Sequence, residues 1–427
     1  MTYQSPIAPG VSLYEDGLER PRYPALDGSC TADVAIVGGG FAGLQSACRL
    51  AENGVDVVLI EQARLGDGAS GRNGGQMGTG QRSWPEDHAE KLGHAAAKAL
   101  FDIAESGKRH LHDFAERHGI DIEYRPGQLS VVHKRRYLAA YRRHADRVAE
   151  RYDYPHLRFM DAEETAERLG SRAYLGGVRD TGTGHINPLK LVVGTAIAAS
   201  AAGARLHEDT RATDIARADG RVRITTPTGT ITADRVLIAG NGYVGRLESQ
   251  TAAHVMPIRS FIAATEPLGP QTDVLPGGEA VDDSRFVVRY FRKNAEGRLL
   301  FGGRETYSRD NPRDIAAPMR QQIARLYPQL SDVAVTHAWG GTVGITVPRD
   351  PFVREVMPGA TAVGGFSGHG VVLANYTGKL YADAVLGDDS AFAQLAAMPV
   401  SAFPGGRSLR TPLLFAALTW FALRDRV

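Results

Sequence analysis

The stretch ADVAIVGGGFAGLQSACRLAENGVDVVLIEQ, from Ala32 to Gln62, constrains this chain more than any other. Two of its runs, Val34 to Val37 and Val57 to Ile60, are apolar on both faces and flank a helical pattern. Strands without a polar face belong in a parallel sheet covered by helices, so the spacing predicts a βαβ unit. Gly38, Gly40 and Gly43 form G-x-G-x-x-G directly after the first strand, with Phe41 and Ala42 at the start of the helix. The first glycine permits a tight turn, the second lets a pyrophosphate approach the backbone, and the third lets helix and strand pack closely. The helix N-terminus then offers free N–H groups and a partial positive charge to phosphates. Glu61, followed by Gln62, ends the second strand. There a carboxylate can accept hydrogen bonds from both ribose hydroxyls, and it disfavours a 2′-phosphate.

NAD and FAD share that fingerprint, so the choice between them rests on the rest of the chain. FAD extends across the sheet and needs its ring gripped further along. Three later glycine segments are suited to such a grip. They are GASGRNGGQ, with Ser70, Gly71, Arg72, Asn73, Gly74, Gly75 and Gln76; AGNG, with Ala239, Gly240 and Asn241; and GGFSGHG, with Gly365, Ser367, Gly368, His369 and Gly370. Gly341 in HAWGG joins them. The last segment falls between a strand and a helix, which aims a second helix N-terminus at the ligand.

At 427 residues the chain is long enough for two or three domains. From Ala253 to Thr346 short apolar and aromatic runs broken by Pro and Gly, FVVRYF and RLLFGG among them, predict a strand-rich second domain. The expected fold is therefore α/β with two domains: a discontinuous Rossmann-like dinucleotide-binding domain (30–85, 155–245 and 335–390) and an antiparallel-sheet substrate domain (86–154 and 246–334). Residues 391–427 form a C-terminal extension. Its apolar run PLLFAALTWFAL, from Pro412 to Leu423, is too short for a spanning helix and suits docking on the protein itself, on a partner or on a membrane surface. With 49 basic and 48 acidic residues, no global field favours nucleic acid. Two cysteines, Cys30 and Cys48, are too few for a disulfide framework, a zinc site or an iron–sulfur cluster, so no metal is expected. The N-terminus lacks a secretory pattern, and a cytoplasmic location is the expectation.

DVAIVGGGFAGL, LIEQ, GASGRNGGQ, TGHINPLKLV, AGNGY, GFSGHGV and FPGGRSLRTP together resemble the D-amino acid oxidase superfamily, and within it the γ-glutamylputrescine oxidoreductases most. The resemblance implies FAD and oxidation of a C–N bond. It implies that Gly38, Gly40, Gly43 and Glu61 hold the ADP half, that the backbone at Ala212 meets adenine, and that Ser70 to Gln76, Gly240 and Gly368 to Gly370 line the ribityl chain and ring. Some relatives attach the flavin through cysteine or histidine. The GASGRNGGQ loop contains neither, and Cys48 falls in the first helix, so the FAD is expected to be non-covalent.

Flavin-dependent amine oxidation needs an uncharged nitrogen, a positioned carbon and exclusion of water. Tyr290 and Trp339 are expected above the ring and His185 beside it, although each can equally serve in packing. A substrate with a glutamyl end needs a guanidinium for its carboxylate, and Arg292, Arg289, Arg259 and Arg72 are candidates. The expected reaction converts a γ-glutamylated amine, O₂ and water to an aldehyde, ammonia and H₂O₂. The chain has no second G-x-G-x-x-G for NADPH, so a quinone or partner protein is the other electron outlet. Two alternatives are oxidation of a secondary amino acid (pipecolate, sarcosine or glycine type) and service as the flavoprotein subunit of a larger dehydrogenase.

Overall fold

In the computed structural model, which describes residues 2–269, 272–306 and 312–405, the chain builds two eight-stranded sheets. The strand Cys30–Val37 pairs in parallel with Val57–Ile60 on one side and Thr230–Ile238 on the other. Arg205–His207 extends the sheet beyond Val57–Ile60, and Ala360–Gly364 extends it beyond Thr230–Ile238, with Phe352–Met357 as antiparallel edge. A small antiparallel meander, Asp214–Ala218 and Arg221–Thr225, pairs onto Thr230–Ile238.

Strand periodicity explains why the central runs are apolar throughout. Val34, Ile36, Val57 and Leu59 join the core under the helices Phe41–Ala51, His94–Arg117, Pro188–Ala201 and Gly370–Val385, whereas Ala35, Val58 and Ile60 join a second core on the opposite face. Helices 41–51 and 370–385 pack closely enough that a Cβ on Gly378 would stand 2.2 Å from the carbonyl oxygen of Ala42. Ser46 Oγ hydrogen-bonds to the Gly378 carbonyl at 2.8 Å across the same contact.

The second sheet runs Val335–Ile345, Met256–Pro267, Arg298–Thr306, Tyr290–Lys293, Ala280–Asp283, Arg125–Val131, Gly177–His185 and Leu157–Met160. Its pairs are antiparallel except for Ala280–Asp283 with Arg125–Val131, which is parallel. Alternation divides its two faces. Leu129, Val131, Val281, Phe291 and Phe301 bury against the helix Ala316–Leu326, while Gln128, Ser130, Asp282 and Tyr290 point to a cavity on the other side.

Sheet membership departs from the expected partition at three strands. Leu157–Met160, Gly177–His185 and Val335–Ile345 pair into the second sheet, although the sequence reading puts 155–245 and 335–390 in the first domain. Their short alternating runs fit either sheet locally, and only long-range register decides between them. The start of the expected substrate segment 86–154 is two helices, Pro85–Leu92 and His94–Arg117, separated at Gly93. The longer one buries Leu100, Ile103, Leu111 and Phe114 in the first sheet's core rather than the second's. Among the described residues no helix is long and apolar enough to cross a membrane. The run from Pro412 to Leu423 and the RSLR of FPGGRSLR lie outside the described residues.

Candidate active site

The fingerprint glycines are required by their contacts. Gly38 sits at φ +118°, where a side chain would be strained, and a Cβ there would meet the Ala239 carbonyl at 2.8 Å. A Cβ on Gly43 would stand 2.0 Å from the Gly38 carbonyl. Gly40 caps helix 41–51 with no side-chain hydrogen bond, which leaves the start of the helix open to a ligand, apart from the Phe41 N–H that donates to Ser70 Oγ at 3.0 Å. Glu61 accepts from the Gly39 and Ala63 N–H groups at 2.9 and 3.1 Å, and burial pushes its carboxyl up to about 7 against those bonds. Gln62 is half-buried beside it. Ala212 lies between Thr210, whose N–H donates to the Glu61 carbonyl at 2.7 Å, and Thr213, so the structure brings that segment to the end of the Glu61 strand.

Beyond this groove, between the two sheets, lies a cavity of about 610 Å³, within the usual range for small-molecule sites. Ser70, Arg72 to Gln76, Asn241, Tyr290, Gly341 and Ser367 to Gly370 line it, together with Ile258, Val343, Ile345 and Phe366. Phe41 and Gly370, the first residues of two helices, both open onto it. Asn241 Oδ1 accepts from the Gly365 N–H at 2.8 Å and so ties the AGNG and GGFSGHG segments together beside Ala239 and Gly240. His369 caps helix 370–385, donates from Nε2 to the Gly80 carbonyl at 3.1 Å, and is pushed by burial down to about 4, so it is neutral.

Within the loop 69–76, the polar side chains that invited a ligand role hold the loop itself. Arg72 is buried and donates from Nε to the Gly340 carbonyl at 2.6 Å and from Nη2 to the Pro9 and Gly10 carbonyls at 3.0 and 2.9 Å. Asn73 donates to the Ala69 and Ser70 carbonyls and accepts from the Gly75 N–H. Gly71 is buried beneath them, and Gln76 Nε2 donates to the Val281 carbonyl at 2.7 Å, which joins the loop to the second sheet.

Of the four side chains expected at the reacting centre, only Tyr290 reaches the cavity. Its ring lies against Gly74 and Gly302, and its hydroxyl is 3.3 Å from Ser260 Oγ. Trp339 is fully buried behind the loop, with its indole N–H donating to the Arg72 carbonyl at 3.0 Å and its ring edge-on to Tyr14 at 5.5 Å. His185 is fully buried: Nε2 donates to the Gly278 carbonyl at 2.9 Å, and burial with the nearby Arg292 charge pushes the ring down to about 3. Arg292 spends its fork on the carbonyls of Gly74 and Ile186, the Tyr14 hydroxyl and His185 Nδ1. Arg289 donates to Gln322, and neither it nor Arg259 lines the cavity.

Sequence reasoning missed three participants. The N-terminal segment covers the loop, with the Tyr14 hydroxyl donating to the Asn73 carbonyl at 2.8 Å. Arg82 and Asp282 face the cavity, and only the polar–apolar alternation of QLSV and AVDD hinted at a polar face there.

A dinucleotide fold whose two cofactor-facing helices open onto one cavity, walled on its far side by a mixed sheet, is the architecture of a two-domain flavoenzyme. Residues 33–384 match the DAO family model, described as FAD dependent oxidoreductase, and the chain belongs to that family. It is 61% identical over the full length of both chains to the "probable oxidoreductase OrdL" of Rhizobium meliloti (strain 1021). It is 35% identical to the "gamma-glutamylputrescine oxidoreductase" of Escherichia coli (strain K12), over 95% of each chain. Glycine oxidase from Geobacillus kaustophilus shares the fold, with a TM-score of 0.72 over 83% of this chain and 95% of that one at 24% identity. The glycine cradle, the open start of helix 41–51 and the cavity beside it fit FAD, the cofactor of this family.

Proposed function

We propose that this FAD-dependent oxidoreductase is an amine oxidase that deaminates a γ-glutamylated polyamine such as γ-glutamylputrescine, with O₂ as acceptor. The observation that carries the reading is the use of Arg72 and Arg292, the two arginines that grip the loop 69–76. Both are spent inside the protein, chiefly on backbone carbonyls, and Ile258, Val343, Ile345, Tyr290 and Ser260 are among the residues that line the cavity with the loop. An amino-acid substrate carries a carboxylate on the carbon to be oxidised and needs a free guanidinium there. A terminal amine does not. The 35% identity to a gamma-glutamylputrescine oxidoreductase supports the same choice.

Bound FAD supplies the two-electron acceptor for the C–H bond next to the amine nitrogen. The apolar wall disfavours an ammonium and so holds the nitrogen as the neutral amine that the reaction requires. Tyr290, fixed between Gly74 and Gly302, limits where the amine carbon can lie. The start of helix 370–385 adds positive potential to the same cavity from its backbone alone, because His369 is neutral. The net change is amine plus O₂ and water to aldehyde, ammonia and H₂O₂. FAD is held without a covalent bond: Cys48 is buried in the first sheet's core, its thiol pushed up to about 12, and the lining imidazoles of His369 and His144 are tied to Gly80 and Glu86. Yellow colour left in a trichloroacetic acid pellet would contradict this.

The test is steady-state H₂O₂ and aldehyde formation from γ-glutamylputrescine, putrescine, sarcosine, pipecolate and glycine. Turnover of the first well above the others supports the proposal. Preference for sarcosine, pipecolate or glycine would move the enzyme to amino-acid oxidation.

A further inference from the structure

Arg82 lies in the segment Gly78–Trp84, which walls the cavity. Its chain neighbours are pinned elsewhere: the Gly80 carbonyl accepts from His369, Gln81 Nε2 donates to the Leu100 carbonyl at 2.9 Å, and Ser83 Oγ donates to the Pro348 carbonyl at 3.4 Å. The other guanidiniums on the wall are engaged. Arg72 is spent on carbonyls, Arg285 pairs with Asp283, and Arg349 lies over the Phe286 ring at 5.0 Å. Arg82 has no hydrogen bond or ion pair to any described residue.

Asp282 faces the same cavity from the second sheet, in a cross-strand row with Ser130 on one side and Tyr290 on the other. Its Oδ1 accepts from Gln128 Nε2 and Ser130 Oγ, both at 2.8 Å. Its Oδ2 has no hydrogen bond among the described residues. Two neutral donors on one oxygen fix the carboxylate plane and leave the other oxygen for a cationic group. Arg82 is close enough for its charge to act on Asp282 and on Tyr141, which also lines the cavity.

Among the described residues of this wall, Arg82 is an unspent cation and Asp282 a half-spent carboxylate, a pair complementary to a ligand that carries one carboxylate and one ammonium close together. A diamine satisfies only the acid, and a dicarboxylate only the base. We propose that Arg82 and Asp282 recognise the α-amino-acid end of the substrate, Arg82 binding its carboxylate and Asp282 Oδ2 its ammonium, while the reacting amine reaches toward Tyr290. The inference rests on the γ-glutamyl amine reading above.

Three amines that share the putrescine end test it: γ-glutamylputrescine, glutarylputrescine, which lacks the α-ammonium, and 4-aminobutanoylputrescine, which lacks the α-carboxylate. The FAD-loaded enzyme is compared with R82Q and D282N by kcat/KM, each variant first shown to keep its flavin spectrum. R82Q is expected to lose about 10- to 100-fold on γ-glutamylputrescine and glutarylputrescine and to be unchanged on 4-aminobutanoylputrescine. D282N is expected to lose a similar factor on γ-glutamylputrescine and 4-aminobutanoylputrescine and to be unchanged on glutarylputrescine. R82K, which keeps the charge without the fork, is expected to fall between wild type and R82Q. Equal losses on all three amines, or no loss, would overturn the pairing while leaving the substrate class intact. A wild-type enzyme inactive on γ-glutamylputrescine would instead overturn the reading on which the pairing rests.

Discussion

Arg292 Nε donates to the Gly74 carbonyl at 2.5 Å, so a buried guanidinium of the second sheet holds the loop that lines the cavity from the first. Arg292→Met removes this bond and those to the Ile186 carbonyl and the Tyr14 hydroxyl, which leaves buried acceptors unpaired. The expected cost is about 3 kcal/mol of stability together with weaker FAD retention. Thermal unfolding with and without added FAD measures both. A variant that unfolds like wild type and changes only KM would mean that Arg292 touches substrate.

Trp339→Phe should behave as a packing change. It removes one hydrogen bond, to the Arg72 carbonyl, at a cost of about 1 kcal/mol, and leaves kcat/KM near the wild-type value because the ring does not reach the cavity. A large fall in kcat with unchanged stability would return Trp339 to the reacting centre.

Glu61 gives a pH signature. Its folded pKa, raised to about 7, means that its contribution to apoprotein stability is present below its unfolded value near 4.5 and is lost as pH rises through about 7. Ribose hydroxyls donate to the ionised form, so FAD binding to the apoprotein should tighten as pH rises, by up to about tenfold per unit, and level off above about 7. Titration of the apoprotein with FAD across this range checks the slope, which Glu61→Gln should flatten. Equal slopes in the two proteins would remove Glu61 from the cofactor site.

Gly78 and His369 are in close contact: a Cβ on Gly78 would stand 2.0 Å from His369 Cε1. Gly78→Ala should push the imidazole out of its bond to Gly80, shift the flavin spectrum and lower activity. His369 itself, held near 4, stays neutral in the folded protein through the working range, and the stability this gives is present above its unfolded value near 6.5 and is lost as pH falls from there through about 4. The pH–rate profile of His369→Gln between about pH 5.5 and 9 should therefore keep the wild-type shape. The disappearance of a limb near neutrality would show that His369 titrates in function.

The dinucleotide half was legible because its signals are local: Gly38, Gly40, Gly43 and Glu61 fall within one βαβ unit, where Gly38 takes a positive φ and Gly43 packs against the Gly38 carbonyl. The roles of Arg72, His185, Arg292 and Trp339 were not. Their residue types suit a ligand, but their partners are carbonyls and rings far away in the chain, and no spacing encodes those. The placement of Leu157–Met160, Gly177–His185 and Val335–Ile345 failed for the same reason, since register with distant strands selects the sheet. Arg82 and Asp282 were overlooked because an isolated charged residue in a turn or short strand reads as surface until the opposite wall of the cavity is known.

Anaerobic mixing of the FAD-loaded enzyme with γ-glutamylputrescine, followed by the flavin absorbance, tests the central claim without depending on the electron acceptor. Rapid, complete bleaching by γ-glutamylputrescine, with slow or no bleaching by putrescine, glycine, sarcosine and pipecolate, is the predicted result. Faster bleaching by one of the amino acids, or a flavin left oxidised by γ-glutamylputrescine, would contradict the account.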